Sequence, residues 1–170
     1  GLIAANEAIY KQLTLGITVD EFVDGQKTSV TVPLINWTDI DANLFHVTEE
    51  FSVERPAGMG RYRPDVVCYV NGIPFVVIEA KRPTSSSENK SMVAEGISQH
   101  NRNQKVSGIQ NLYVYSQLLL SISGTDARYG TTDTPSKFWG KWTEEEITEA
   151  QMQVVKSTPL TESQKAALFA

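Results

Sequence analysis

Arg63-Pro-Asp-Val-Val-Cys-Tyr-Val-Asn-Gly-Ile-Pro-Phe-Val-Val-Ile-Glu-Ala-Lys81 is two short apolar runs joined by Asn71-Gly72. Asn-Gly between strand-like runs is the strongest short-range signal for a β-hairpin. The runs are continuously apolar rather than alternating, which suits central strands covered on both faces. Asp65 stands before the first run, and Glu79 and Lys81 end the second. Glu79 and Lys81 are two apart, so on a strand they share a face. A charged pair at the end of a buried strand is costly without a partner or a task.

Two carboxylates and a lysine are the minimum set for holding a divalent cation and hydrolysing a phosphodiester, provided that they converge. A regular two-residue turn pairs Val70 with Ile73 and Asp65 with Ile78, leaving Asp65 and Glu79 on opposite faces. A three-residue loop with Gly72 as a bulge pairs Asp65 with Val77 instead, making Asp65 and Glu79 diagonal neighbours on one face. The chemistry therefore predicts a bulge or bend between Asp65 and Glu79. In that arrangement Asp65, Glu79 and the Ala80 carbonyl would hold one metal, and Lys81 would orient the attacking water or neutralise charge on phosphorus. The competing reading is a solvated strand end.

Around the hairpin, apolar spacing predicts a helix over 3–15 stopped by Gly16, and strands over 28–35 and 45–53. Pro56 to Gly60 reads as a loop, flexible by composition. A polar break at 84–89 precedes a helix from Ser91 to about Gln104. Residues 112–123 read as one strand and 127–131 as a short return strand. Thr143 reads as the cap of a helix whose first turn holds Glu144, Glu145 and Glu146, and 161–169 as a last helix. These elements predict an α/β fold, a mixed central β-sheet flanked by helices.

The 170 residues suit one ordinary domain. No apolar run approaches a membrane span, and no signal peptide is visible. The single cysteine, Cys68, rules out an internal disulfide, fits a reducing cytosol and reads as a small buried hydrophobe. The net charge of −5 hides a segregation: residues 55–142 carry eleven lysines and arginines against six acids. That basic block contains the Asp/Glu/Lys set, as a site acting on a polyanion would require. His46 and His100 have no zinc-ligand spacing, and Trp139 and Trp142 read as packing residues. Walker, Rossmann and nucleophile-elbow motifs are absent.

The Asp65/Glu79/Lys81 pattern resembles the signature of the PD-(D/E)xK nuclease superfamily. The text from Arg63 through Lys81-Arg-Pro83 further resembles the N-terminal nuclease domain of type I restriction enzyme R subunits. Leu112-Tyr-Val-Tyr-Ser-Gln117, Asp126-Ala-Arg-Tyr-Gly130 and Phe138-Trp-Gly-Lys-Trp142 resemble later blocks of that family, and Tyr10 to Gly16 fits more loosely.

The resemblance implies a restriction-endonuclease-like core at about 45–123 within a nuclease domain of 1–142. Residues 143–170 would be a helical segment leading towards motor domains, with the chain an N-terminal fragment of a longer bacterial or archaeal cytoplasmic protein. It implies Asp65 and Glu79 as metal ligands together with the Ala80 backbone carbonyl, Lys81 as the catalytic lysine, and Mg²⁺ or Mn²⁺ as the cofactor. Gln99 matches the glutamine of a family Gln-x-x-x-Tyr element, in which Asn103 replaces the tyrosine. Partners would be double-stranded DNA and the modification and specificity subunits, with ATP used only by the motors. A stand-alone repair nuclease and a catalytically silent docking module are the alternatives.

Overall fold

The Asn71-Gly72 turn is where the fold is anchored. A computed structural model describes residues 1–82, 92–124, 126–143, 148–159 and 161–162. Asn71 (φ 52°) and Gly72 (φ 79°) both adopt the left-handed conformation of a two-residue type I′ turn. The Asn71 side chain accepts from the Leu44 amide and donates to the Leu34 carbonyl and Asn43 Oδ1. The turn is thus tied to the chain entering the sheet.

In chain order the elements are helix α1 (Leu2–Leu15), strands β1 (Ile17–Val23), β2 (Gln26–Val32), β3 (Phe45–Glu49), β4 (Val53–Glu54), β5 (Arg61–Tyr62), β6 (Val66–Val70) and β7 (Ile73–Lys81), helices α2 (Val93–Asn103) and α3 (Gln110–Tyr115), strands β8 (Leu118–Ser123), β9 (Asp126–Gly130) and β10 (Gly140–Lys141), and helix α4 (Glu149–Ser157). Six strands form one sheet in the order β10-β9-β8-β7-β6-β3. Every pairing in it is antiparallel except β7 with β8. A parallel neighbour needs a long crossover, and α2 and α3 lie within it. The expected mixed sheet with flanking helices is the architecture found.

The core lies between the sheet and these two helices. Val67, Val77 and Leu119 from the central strands meet Ile97, Ile109, Leu112 and Tyr113, with Trp139 closing one side. Trp139 is buried and packs on Gly130, as a packing residue should, whereas Trp142 lies half-exposed edge-on to Tyr129. Helix α1 joins this layer through Asn6, whose amide donates to the carbonyls of Tyr113, Val114 and Ser116 and so satisfies the end of α3.

Several elements differ from the sequence expectation for identifiable reasons. Residues 112–115 are helical, although their aromatic and β-branched content favours a strand. The buried residues there are Ile109, Leu112, Tyr113 and Ser116, which is helical spacing, and it overrides propensity. The strand expected over 45–53 ends at Glu49, because Glu50 takes φ 45° and donates its amide to the Asp65 carbonyl. Strand β1 was unforeseen; it pairs with β2 across Asp24-Gly25, both with positive φ. Thr148 caps α4, in a capping box with Gln151. The polar break at 84–89, Glu144 to Glu146 and most of the helix expected at 161–169 lie outside the described residues. Among the described residues no helix is long and apolar enough to cross a membrane.

Candidate active site

The β6–β7 ladder determines whether the three ionisable side chains can meet. Val70 pairs with Ile73 and Tyr69 with Pro74, as in a regular two-residue hairpin, but Cys68 then pairs with Val76. Phe75 is therefore an extra residue, a bulge in β7. Its position has a physical cause: Pro74 has no amide hydrogen to give the ladder, and the Phe75 carbonyl turns to accept from Gln117. The expected break in register is present, but it lies in the strand; the three-residue loop with Gly72 as the bulge does not form.

The pairing continues through Val67 with Val77 and Val66 with Ile78, which sets Asp65 directly across from Glu79 rather than diagonal to it. The side chains converge. Asp65 Oδ2 accepts from the Ala80 amide at 2.8 Å and from Lys81 Nζ at 3.2 Å. Lys81 Nζ also donates to Glu79 Oε2 at 3.4 Å. An extended residue turns its N–H and C=O to the same edge, so the Ala80 carbonyl is on the Asp65 side of β7.

Glu79 is fully buried, while Asp65 is about a third exposed and Lys81 less so. Burial pushes the Glu79 carboxyl up to about 7; the Asp65 charge adds to this and Lys81 opposes it. Among the described residues Glu79 Oε1 is buried with no hydrogen-bond partner. An orphaned carboxylate oxygen in a core is a cost that native folds rarely carry without a reason.

Helix α2 creates that burial. Gly96 packs so closely that a Cβ there would run into Ser121 Oγ and come within 3.3 Å of Glu79 Cβ. Ser121 pairs with Glu79 in the parallel ladder and donates its hydroxyl to the Val93 carbonyl at 2.8 Å, fixing the start of α2 over the acid. Neither residue was singled out from sequence. The available signals were a glycine inside a helical pattern and a serine inside an apolar strand.

Gln99 flanks the stripe of α2 that faces the sheet, formed by Val93, Gly96, Ile97, His100 and Asn103. It is half-buried, and no described hydrogen bond joins it to Asp65, Glu79 or Lys81. Asn103, at the position where the family tyrosine was expected, is buried under Gly108. His100 is structural: Nε2 meets the Leu120 carbonyl at 2.9 Å and Nδ1 the Tyr113 hydroxyl at 3.1 Å, and burial lowers its pKa to about 4. His46 is exposed on β3, so the two histidines are not grouped. Cys68 is half-buried beside an apolar hollow of about 400 Å³, and burial pushes its thiol up, which disfavours reactivity.

The residues fit a hard divalent cation. Oxygen donors converge, and the orphaned Glu79 Oε1 needs a partner. Among the described residues no three His, Cys, Asp or Glu side chains form a metal-binding group. Two carboxylates and a carbonyl are a donor set that an ion of the Mg²⁺ type accepts, its other positions being filled by water and substrate phosphate.

Comparison with known proteins gives this arrangement its context. A family model described as "Type I restriction enzyme R protein N terminus" matches residues 2–138. The chain is 32% identical over 134 residues to a Methanocaldococcus jannaschii protein named "Putative type I restriction enzyme MjaIXP endonuclease subunit", covering 78% of this chain and 12% of that one. It is 28% identical over 141 residues to the type I restriction enzyme HindI endonuclease subunit of Haemophilus influenzae, covering 83% and 13%. The chain thus spans about an eighth of the length of these relatives. By this match, extending over most of its length, the chain belongs to the family of type I restriction enzyme R protein N-terminal domains.

Proposed function

We propose that this domain is a metal-dependent endonuclease that hydrolyses DNA phosphodiester bonds within an ATP-dependent type I restriction complex. One observation carries the reading: a buried glutamate with an orphaned oxygen stands beside an aspartate and a lysine, in the register that the bulge at Phe75 sets. The names of its relatives support the same activity.

Asp65, Glu79 and the Ala80 carbonyl would hold the metal, which when bound supplies Lewis acidity to a phosphate oxygen and acidifies a water. Hydrolysis forms a bond from water oxygen to phosphorus and breaks one bridging P–O bond; the water gives up a proton and the leaving oxygen acquires one. Lys81 orients the attacking water and offsets the charge that builds on the phosphoryl oxygens. Asp65 holds the Ala80 amide and Lys81 in register, so that donor and ligands share one rigid corner of the sheet. Gly96 and Ser121 pack over Glu79 and keep it buried, which strengthens its electrostatic contacts. Gln99, by its match to the family glutamine, would position substrate or water. Recognition and most of the affinity come from the motor, modification and specificity parts of the complex.

The test is Asp65→Ala and Lys81→Ala in the complete restriction complex, assayed for plasmid cleavage and for ATP-driven translocation. Cleavage should fall by at least 100-fold with translocation preserved. Unchanged cleavage refutes the assignment, and loss of complex assembly would favour a docking role instead.

A further inference from the structure

Arg55 follows β4 and folds back over the ring of Tyr62 in β5, with its guanidinium carbon 4.4 Å from the ring centroid. Arg102, near the end of α2, lies over the same ring at 4.8 Å, so the two guanidinium carbons cannot stand more than about 9 Å apart. Both are held by neutral acceptors. Arg55 Nε donates to the Ser107 carbonyl at 2.8 Å and Nη1 to the Met59 carbonyl at 2.9 Å. Arg102 Nε and Nη2 both reach Asn103 Oδ1 at 3.4 Å.

Their neighbours are treated differently. Arg61 is neutralised by Glu54 at 2.7 Å and Arg63 by Glu50 at 3.3 Å. Among the described residues no carboxylate pairs with Arg55 or Arg102. Two like charges fixed this close repel each other, and an aromatic face offsets that only in part. Held in position without a counter-charge, the pair is a preorganised anion site, and guanidinium forks match phosphate oxygens.

The location selects the anion. Tyr62 lies three residues before Asp65, so their Cα atoms are at most about 11 Å apart. Arg102 is six residues along α2 from Gly96, which touches Glu79, a rise of about 9 Å. Both distances are short against the ~34 Å of one duplex turn. Arg102 is exposed and Arg55 half-buried, so a polyanion at the surface can reach the pair.

We propose that Arg55 and Arg102, stacked on Tyr62, form a phosphate cradle that seats the backbone of double-stranded DNA beside Asp65, Glu79 and Lys81. The inference rests on the DNA-hydrolysis reading and adds the contact that would place the substrate. The closing experiment measures binding of a short duplex of arbitrary sequence to the full-length subunit, in chelator, over a series of salt concentrations. Removing a phosphate contact lowers the slope of log K against log salt by about 0.9, so Arg55→Gln with Arg102→Gln should lower it by about 1.8. Arg55→Lys with Arg102→Lys keeps both charges and should restore most of the slope. An unchanged slope in the double glutamine variant overturns the cradle. Equal loss in the glutamine and lysine pairs, with equal thermal destabilisation, also overturns it, because the arginines would then only brace β4 and β5 against α2. Asp65→Ala separates the two ideas: it should keep the slope and abolish cleavage. If cleavage survives in Asp65→Ala, the hydrolysis reading falls regardless of the slopes; if only the arginine variants behave as wild type, the cradle alone falls.

Discussion

Replacing Glu79 by glutamine should stabilise the metal-free domain above neutral pH while abolishing cleavage. Glutamine keeps the shape and an acceptor towards Lys81 Nζ but removes the buried charge. The magnitude follows from the carboxyl, which burial raises from 4.5 to about 7. Each pKa unit corresponds to about 1.4 kcal/mol, so ionised Glu79 costs the fold about 3 kcal/mol. The sign is that of a raised acid: its stabilising contribution is complete below about pH 4.5 and is lost as pH rises through about 7. For a chain of this size about 3 kcal/mol corresponds to roughly 6–12 °C in Tm. The assay is thermal unfolding by circular dichroism in chelator, wild type against Glu79→Gln, from pH 5 to 8.5. The curves should diverge with rising pH, and Mg²⁺ should close the gap by stabilising only the wild type. Parallel curves, or a variant less stable at pH 8, would refute the account of Glu79 as a carboxylate buried in want of a cation.

Four further outcomes follow from the same geometry. His100→Gln should flatten the acid limb of the stability profile, because a histidine held near 4 contributes stability above about pH 6.5 that is lost on acidification through about 4; acid titration by tryptophan fluorescence checks this. Gly96→Ala should cost about 1–3 kcal/mol by overpacking against Ser121 and Glu79, and should reduce cleavage more than Ser98→Ala on the exposed side of the same helix; urea unfolding and a nicking assay measure both. Deleting Phe75 removes the bulge but leaves Asp65 across from Glu79, so cleavage should survive with a lowered Tm; abolished cleavage in a folded variant would show that the bulge itself shapes the site. Asn71→Ala removes three side-chain hydrogen bonds and a residue suited to positive φ, and should cost about 2–4 kcal/mol in chemical denaturation.

The sequence by itself determined the hairpin, since Asn71-Gly72 between apolar runs has few other solutions, and it placed Asp65, Glu79 and Lys81 at the strand ends. It also implied, through residue count alone, that a bulge or a bend was needed for those three to meet. It carried the family resemblance that the match over residues 2–138 later established. Helix α3 was misread because aromatic, β-branched text is locally ambiguous, and only burial of the 109, 112, 113 and 116 positions decides in favour of a helix. Tertiary structure alone decided where the bulge sits, because Pro74 and the reach of Gln117 to the Phe75 carbonyl act through neighbouring strands. It alone decided that Glu79 is buried outright, because Gly96 and Ser121 come from elements far away in sequence. The arginine pair on Tyr62 is likewise invisible in one dimension, since 55, 62 and 102 meet only when α2 lies against the β4–β5 corner. Local patterns encode which elements form; the burial of a charge, and hence its chemistry, depends on contacts between residues that the chain keeps far apart.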